Sequence, residues 1–548
     1  MKRDIKKLTS QIFDVLIIGG GIHGAAVARE ASKNGFKTAL IEMNDFGHST
    51  SFNSMKVIHG GLRYLQHGNL KRIRNSVRSR KIMQKVAPHL IKAVPFLVPT
   101  YGLGIKSKYA MKAAFLINDL ISFDRNINID SQYHIKNGSL ITREDILKIL
   151  PDISKNKLSG GAVWYEAVVQ NTERLLLEFL LDAFKFDFTA ANYVEAKEFI
   201  IQNDKVVGLK AKNHLNSEDI VINAKIIINA VGPWFNLIQE SLNISNKPEI
   251  KLNKSVNIIV KKKIFSPYSV GLEGRESFSD SDALIKRGKR LFFFVPIGDY
   301  TMIGTSNKLY NGEINKFQIT KQDIQEILDE ANTLYPSLQL KYEDVSFYHA
   351  GLLPLDESSD PNNVQPERHS TIYDYEKENN LKNLFSIKSV KYTTAPVIAE
   401  DVIKKVKGKI KPSSNNFNRK EDEAKNSSNN IPEETFKRIN NIYNTNSHEV
   451  FEIIKENKDN LNLVADDPQV TVAEIIHAVR NEMAFSLKDV ILRRTSMGML
   501  RCPSLESINS TASIMSSELG WDKSTELSEI DSLMQVYSPL IKYAESEC

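Results

Sequence analysis

Cysteine is almost missing from this 548-residue chain: only Cys502 and Cys548 occur, far apart. That scarcity argues against a disulfide framework and a thiolate metal site. No metal is expected, and a reducing compartment such as the cytoplasm becomes the default. Long apolar runs are missing as well. No stretch approaches the roughly 20 residues of a membrane-spanning helix, and the basic N-terminus, MKRDIKKLTSQIF, leads into the first strand without an apolar signal core. Charge imbalance is small: 72 Lys and Arg against 66 Asp and Glu leave +6, too little to predict a nucleic-acid partner. From Lys411 to Glu434, KPSSNNFNRKEDEAKNSSNNIPEE has almost nothing apolar, cannot bury surface, and reads as a flexible linker. What is present, 41% hydrophobic and 25% charged residues, is a globular balance, and the length asks for two or three folded units.

The most informative segment is Asp14 to Glu42, DVLIIGGGIHGAAVAREASKNGFKTALIE. Val15 to Ile18 is a continuous apolar run, as a parallel strand buried on both faces requires. Gly19, Gly21 and Gly24 follow in G-x-G-x-x-G spacing, with Ile22 and His23 at the helix start. Gly19 permits a tight turn, Gly21 lets backbone approach a pyrophosphate, and Gly24 lets the next helix pack close to the sheet. The anion would sit on the helix N-terminus, where free N–H groups and the positive dipole end favour it. Thr38 to Ile41 reads as a second strand ending at Glu42, which is placed to hold a ribose hydroxyl. Strand, turn, helix, strand and acid in this order predict a dinucleotide site. The following MNDFGHSTSFNSMKVIHGGLRYLQHGN, rich in Ser, Thr, Asn and Gly, suits a long loop laid along an extended cofactor; an ordinary surface loop is the other reading.

A second region is marked by strands rather than nucleotide-binding units: Ser255 to Val260, then a hairpin in RLFFFVPIGDYTMIGTS turning at Gly298-Asp299. Thr320 and Asp323 form a capping box before a helix whose Ile324, Ile327 and Leu328 share a face. Beyond the linker, Val472, Ile475, Ile476, Val479 and Met483 recur at helical spacing, a packing stripe rather than a cofactor site. LKRIRNSVRSRKIMQK, Leu70 to Lys85, predicts a helix with Leu70, Ile73 and Val77 inward, Lys71, Arg72 and Arg78 outward, and Arg74, Arg80 and Lys81 on the flanks. Such a basic face could rest on anionic lipid or belong to an ordinary soluble helix.

STSFNSMKVIHGGLRYL (Ser49 to Leu65) and VAPHLIKAVPFLVP (Val86 to Pro99) resemble the signature of FAD-dependent glycerol-3-phosphate dehydrogenases and oxidases, within the D-amino-acid-oxidase-like flavoproteins. INAVGPW (Ile228 to Trp234) and VKYTTAPVIAEDVI (Val390 to Ile403) are similar to that family's flavin-side turn and last FAD-binding segment. TVAEIIHAVRNEMAFSLKDVILRRTSMGML (Thr471 to Leu500) is similar to its C-terminal helical domain. The resemblance spans nearly the whole chain outside the linker and tail. It implies an α/β fold: an FAD-binding Rossmann-like domain, an inserted antiparallel-sheet substrate domain and a C-terminal α-helical domain. The expected body is 1–410, with FAD-binding segments near 12–100, 160–240 and 380–408 and substrate-domain segments near 100–160 and 245–375. The linker would span 411–434 and the helical domain 435–548.

The resemblance also implies site residues. Cofactor contacts are expected from Gly19, Gly21, Ile22, His23, Gly24 and Glu42; from Ser49, Thr50, Ser54, Lys56, His59, Gly60, Gly61 and Leu62; and from Ala230, Gly232, Trp234, Lys391 and Thr393. Arg63 matches the family's substrate-contacting arginine, and a guanidinium fork can grip a phosphate, a surface cation being the other reading. With Tyr64 and Lys391 it makes up the expected catalytic set. The implied reaction oxidises sn-glycerol 3-phosphate, a small phosphorylated polyol, to dihydroxyacetone phosphate and passes electrons to a quinone. A peripheral membrane contact, on the cytoplasmic membrane, and a homodimer are compatible with it. Three positions depart from the family pattern. Asn257 stands where its members have a histidine, Leu353 where they have the arginine of G-V-R-P, with His349 nearby, and Pro396 where F-G-G-K-L-T-T-Y-R ends in arginine. A proton acceptor and two phosphate cations are thereby lost; Arg287 and Arg290 are candidate replacements, unless they form a solvated charge run. The catalytic base stays unassigned. Two alternatives stay open: another hydroxy acid or polyol as substrate, and a non-catalytic FAD-binding assembly partner.

Overall fold

The computed structural model describes residues 1–541 except 170, 241, 243, 245–247, 278–287, 357–358, 360–363 and 414–430. Most of the expected linker and Arg287 lie outside the described residues. The linker's end is corrected: a helix, Glu433–Tyr443, already starts inside it, since Pro432 precedes two acids in the first turn, where the helix dipole favours negative charge.

The apolar run Val15 to Ile17 is fully buried. It belongs to Ile12–Ile18, a central strand of the first sheet, whose order is Thr371–Asp374, Leu384–Lys388, Glu218–Asn229, Ile12–Ile18, Thr38–Ile41, Phe188–Ala191. All neighbours on this path run parallel except the Thr371–Asp374 edge. Three adjacent strands thus end on one rim, at Ile18, Ile41 and Asn229, and hand over to Gly19, Glu42 and Ala230. Helix α1 (Ile22–Lys33) returns over the sheet through buried Ala25, Ala26, Ala28 and Ala31. Gly24 makes that approach feasible, because a Cβ there would stand 1.9 Å from the Gly19 carbonyl oxygen.

The second sheet runs Val345–Pro354, Leu252–Val260, Tyr300–Tyr310, Lys289–Ile297, Ser269–Ser277, Ile91–Tyr101, Leu158–Val169, Val57–Ile58. The hairpin at Gly298-Asp299 is present, with φ +59° at Gly298. So is the Thr320–Asp323 capping box, and Ile324, Ile327 and Leu328 are buried on its helix. Two segment assignments are corrected. Ile91–Tyr101 and Leu158–Val169, placed with the FAD-binding segments, pair with each other in this second sheet, and Thr371–Asp374, placed with the substrate domain, edges the first. Apolar alternation marks a strand but does not name its neighbour. One pair in the second sheet, Ser269–Ser277 with Ile91–Tyr101, is parallel rather than antiparallel.

The basic stretch forms helix α2 (Leu70–Val86), with Ile73 and Val77 buried as expected. Its outer face is corrected. Leu70 is 53% exposed, since it stands at the first position, before the helix meets the core. Arg74 and Lys81 converge on Asp124, Arg78 pairs with Glu400, and Arg80 is buried against Glu166. These arginines neutralise acids of other elements rather than forming a free cationic face. Among the described residues no helix is long and apolar enough to cross a membrane.

Candidate active site

A groove of about 1110 Å³ opens along the rim where the first sheet's strands end and passes between the two sheets. Gly19, Gly21, Ile22, His23, Glu42, Ser49, Thr50, Ser54, His59, Gly61, Leu62, Ala230, Gly232, Trp234, Lys391 and Thr393 all line it, as do Arg63 and Tyr64. The first turn of α1 has no side-chain cap on Gly21. The Ile22 N–H donates to Ser51 Oγ at 3.0 Å, and buried His23 Nε2 has no partner among the described residues. A helix N-terminus this open accepts an anion. Glu42 is already oriented: its carboxylate accepts from the Gly20 N–H at 2.6 Å and the Asn44 N–H at 2.9 Å, and stands 3.6 Å from His48. His48 in turn faces the Trp234 ring at 5.8 Å. An acid for a ribose, an aromatic rim and an uncapped helix fit a dinucleotide.

The loop after Glu42 bridges the sheets. Thr50 Oγ1 donates to the Leu352 carbonyl at 2.8 Å, and Asn53 Oδ1 accepts from the Ala350 N–H at 3.2 Å. Further along, Gly61 has φ +93°, and a Cβ there would meet the Ile73 backbone at 3.1 Å; the turn presents Arg63 and Tyr64 to the groove. Lys391 donates to the Tyr64 hydroxyl, and the Arg72 guanidinium lies 4.4 Å from the Tyr64 ring centre. Arg72 also donates to the Arg368 carbonyl, and Arg290 to that of Val364; both arginines and Arg368 line the same groove. Burial, then Arg72, Arg63 and Arg368, hold the Lys391 ammonium well below the usual lysine range. Burial and the same kind of neighbours push His59 down to about 4, so it is neutral at pH 7.

Several expected residues sit elsewhere. Lys56 does not line the groove: at φ +58° its side chain turns inward, where Nζ meets Glu173 at 3.3 Å and Thr172 at 3.4 Å. Its fully buried charge needs that acid more than any ligand. The Gly60 N–H is taken by Glu166, and Gly24 packs against the turn rather than facing the groove. Pro396 is buried at the start of helix α3 (Ala395–Lys407). Asn257 and Leu353 do line the groove; Asn257 Oδ1 accepts from Thr305 Oγ1 at 2.7 Å. His349 does not replace the missing histidine, because it is buried against Phe52 and Phe347 with Nε2 on the Met499 carbonyl. Sequence reasoning missed Ser51, Glu166 and Arg368 and turned Arg72 outward. Only Arg368 left a trace, a lone cation fifteen positions beyond Leu353.

The C-terminal helices reach this site from behind. Asp45, three residues past Glu42, accepts from Arg494 at 2.6 and 2.8 Å and from Arg493 at 2.6 Å, all buried. Arg493 also bonds Asp489 at 2.7 Å, and Asn192 joins Asp45 to the Met483 carbonyl.

Fold and groove together define a dinucleotide-binding oxidoreductase, with arginines gathered at one end of the groove. Residues 14–404 match the family model of FAD dependent oxidoreductases, and residues 405–526 that of the C-terminal domain of alpha-glycerophosphate oxidase. The chain belongs to the FAD-dependent oxidoreductase family, and its cofactor is FAD. It is 25% identical to a glycerol-3-phosphate dehydrogenase of Synechocystis over 100% of its own length and 99% of the relative's. An alpha-glycerophosphate oxidase of Streptococcus pyogenes is 32% identical over 64% of this chain and 55% of that protein. The solved glycerol-3-phosphate dehydrogenase of Bacillus halodurans in complex with FAD shares the fold, with a TM-score of 0.73, 24% identity, and 98% and 96% of the two chains covered.

Proposed function

We propose that this protein oxidises sn-glycerol 3-phosphate to dihydroxyacetone phosphate and delivers the two electrons to a quinone. The observation that carries the reading is the cluster of guanidiniums on one groove, Arg63, Arg72, Arg290 and Arg368, with Lys391 beside them. Two of the acids on that groove are already matched, Glu166 by Arg80 and Glu367 by Lys388 at 2.9 Å. Arg368 also stands 3.6 Å from Asp356. A cluster of guanidiniums in a recessed site suits a phosphate dianion, which takes bidentate, charge-assisted bonds. Arg72 and Arg368 stand in for the cations that Leu353 and Pro396 do not supply. The names of the relatives from Synechocystis and S. pyogenes support the substrate.

FAD, when bound by the Gly19–Gly24 turn and Glu42, supplies the two-electron acceptor. The protein's own groups must orient the alcohol and take its proton. Lys391, biased toward the neutral amine, is suited to accept that proton, with the Tyr64 phenol, which burial keeps protonated, as its hydrogen-bond partner, while the arginines anchor the phosphate. A quinone is supported by the apolar part of the groove wall, Phe96, Val98, Met111, Trp164, Leu291 and Phe293. The Asn257–Thr305 pair favours a second reading, a related polyol or hydroxy acid bound through hydrogen bonds rather than a histidine.

Anaerobic mixing of the FAD-loaded protein with sn-glycerol 3-phosphate tests the substrate. Rapid, saturable bleaching of oxidised flavin is expected; bound flavin that stays yellow would overturn it. Reoxidation by a short-chain quinone is expected to outpace that by dissolved oxygen, and the reverse order would make oxygen the acceptor.

A further inference from the structure

The strands Leu252–Val260 and Tyr300–Tyr310 lie side by side, and alternation gives each of them two faces. Val256, Ile258 and Ile303 go to the core behind them. The strands' charges turn away from the groove as well: Lys254 pairs with Asp323 at 2.6 Å, and Lys308 stands 3.6 Å from the same acid. Ser255, Asn257, Thr305 and Asn307 remain on the other side and line the groove. Ser255 stands opposite Asn307. A register shift after Val256 sets Asn257 opposite Gly304, so that Thr305 is left over beside it. A bulge of this kind re-aims a side chain. The outcome is a wall of four hydrogen-bonding side chains without a charge among them.

Hydrogen bonds within the wall fix which way its amides face. Asn257 Oδ1 accepts from Thr305 Oγ1 at 2.7 Å. Asn307 Oδ1 accepts from Ser255 Oγ at 2.7 Å and from Asn253 Nδ2 at 2.9 Å, and Asn253 Nδ2 also reaches Ser255 Oγ at 3.0 Å. Both carbonyl oxygens are thus engaged inside the protein. Neither Asn257 Nδ2 nor Asn307 Nδ2 has a hydrogen-bond partner among the described residues. Asn257 is only 3% exposed, and an amide N–H so nearly buried is costly to leave unpaired. Such a group donates a hydrogen bond but does not take up a proton. The wall therefore matches an uncharged ligand oxygen that accepts and keeps its protonation state.

We propose that Asn257 and Asn307 select the end of the substrate away from the phosphate, their amide N–H groups receiving its terminal hydroxyl, with Thr305 and Ser255 as the positioning residues that turn them. The proposal rests on sn-glycerol 3-phosphate as substrate. With the phosphate on the arginines and the C2 hydroxyl at Lys391, the C1 hydroxyl is left for the neutral wall. A carboxylate in its place would find no counter-charge on these strands' groove face.

The test compares sn-glycerol 3-phosphate with 2-hydroxypropyl phosphate of the same C2 configuration, which lacks only the C1 hydroxyl, by anaerobic bleaching of the full-length, FAD-loaded protein. The quantity read is the bleaching rate constant divided by the half-saturating concentration. The parent should favour glycerol 3-phosphate by about tenfold or more, since the analogue leaves nearly buried donors unpaired. Asn257→Ala and Asn307→Ala should slow glycerol 3-phosphate far more than the analogue and draw the ratio toward one. Thr305→Val should draw it partway, and Thr305→Ser, which keeps the hydroxyl, should restore it. General damage to the fold would slow both compounds alike. If Asn257→Ala fails to retain flavin, the parent's own ratio and Thr305→Val still decide. A parent that bleaches equally well with both compounds, or variants that slow both by one factor, would overturn this proposal and leave the substrate reading standing. Bound flavin that stays oxidised with both would overturn the substrate reading and this one with it.

Discussion

Replacing Asp45 by Asn tests whether the C-terminal helices hold the cofactor turn in place. The substitution keeps the volume and removes one charge from the centre of a buried network. Four bonds converge on that carboxylate, from Arg494 at 2.6 and 2.8 Å, Arg493 at 2.6 Å and Asn192 at 3.1 Å. An amide offers one acceptor oxygen and turns an NH₂ toward donors, leaving two buried guanidiniums short of a counter-charge. Removing one partner of a buried pair typically costs about 3–5 kcal/mol, a large share of the roughly 5–15 kcal/mol that holds a folded protein together. At roughly 2–4 °C per kcal/mol for units of this size, flavin should be released about 6–20 °C lower than in the parent. Because the chain is multidomain, the readout is the temperature at which flavin fluorescence appears, not a two-state fit. Burial alone would raise the Asp45 pKa, but Arg494 and Arg493 hold it well below the usual carboxylate range. Its stabilisation is therefore present above the unfolded value near 4 and persists through mild acid, disappearing only as the pH falls through the depressed folded value. Flavin release by D45N within about 1 °C of the parent would refute the reasoning.

Three further outcomes are expected. Arg368→Ala should raise KM for glycerol 3-phosphate about ten- to hundredfold, the worth of bonds to a charged group, with Arg368→Lys recovering part of it; an unchanged KM would remove Arg368 from the phosphate site. Burial, then the neighbouring arginines, depress the Lys391 pKa, and a phosphate dianion opposes the arginines' share, so binding of inorganic phosphate at pH 8 should take up a proton, as much as about one. Calorimetry in two buffers of different ionisation enthalpy reads this, and buffer-independent heats, or uptake that survives Lys391→Met, would contradict it. Burial pushes His23, His59 and His89 down to about 4. The unfolded chain then binds protons that the native state refuses, so stability is full above about 6.5 and falls through the window down to about 4, by up to about 1.4 kcal/mol per pH unit for each histidine. Melting temperatures from pH 7 to 4 check the slope, which His23→Asn should flatten.

What the sequence revealed and what it concealed divide along the range of the interactions. The glycine turn, the Gly298-Asp299 hairpin and the Thr320–Asp323 box are set by residues within a few positions of one another, and each stands where the pattern puts it. The stripe through Ile475, Ile476 and Val479 is likewise buried. Lys56 was unreadable because its partner, Glu173, lies 117 positions away. The basic helix misled for the same reason: its charges answer Asp124, Glu166 and Glu400, none near it in the chain. Arg368 sits in a loop with no periodicity to mark it, and only the fold brings it beside Arg72. Strand membership failed where a run such as Ile91–Tyr101 could serve either sheet.

The Asp45 network also sets the order in which a cofactor site can come into being. Arg494 lies 449 positions after Asp45, so at about 5–20 residues per second a growing chain waits roughly 20–90 s between the two. Lys391 and Thr393 arrive late as well. Until Thr394 has emerged the groove lacks part of its wall, and until Arg494 has followed, Asp45 behind the glycine turn stands without its arginines. A chain cut short before the last helices would therefore keep every residue that lines the groove yet leave the loop behind its ribose acid unbraced.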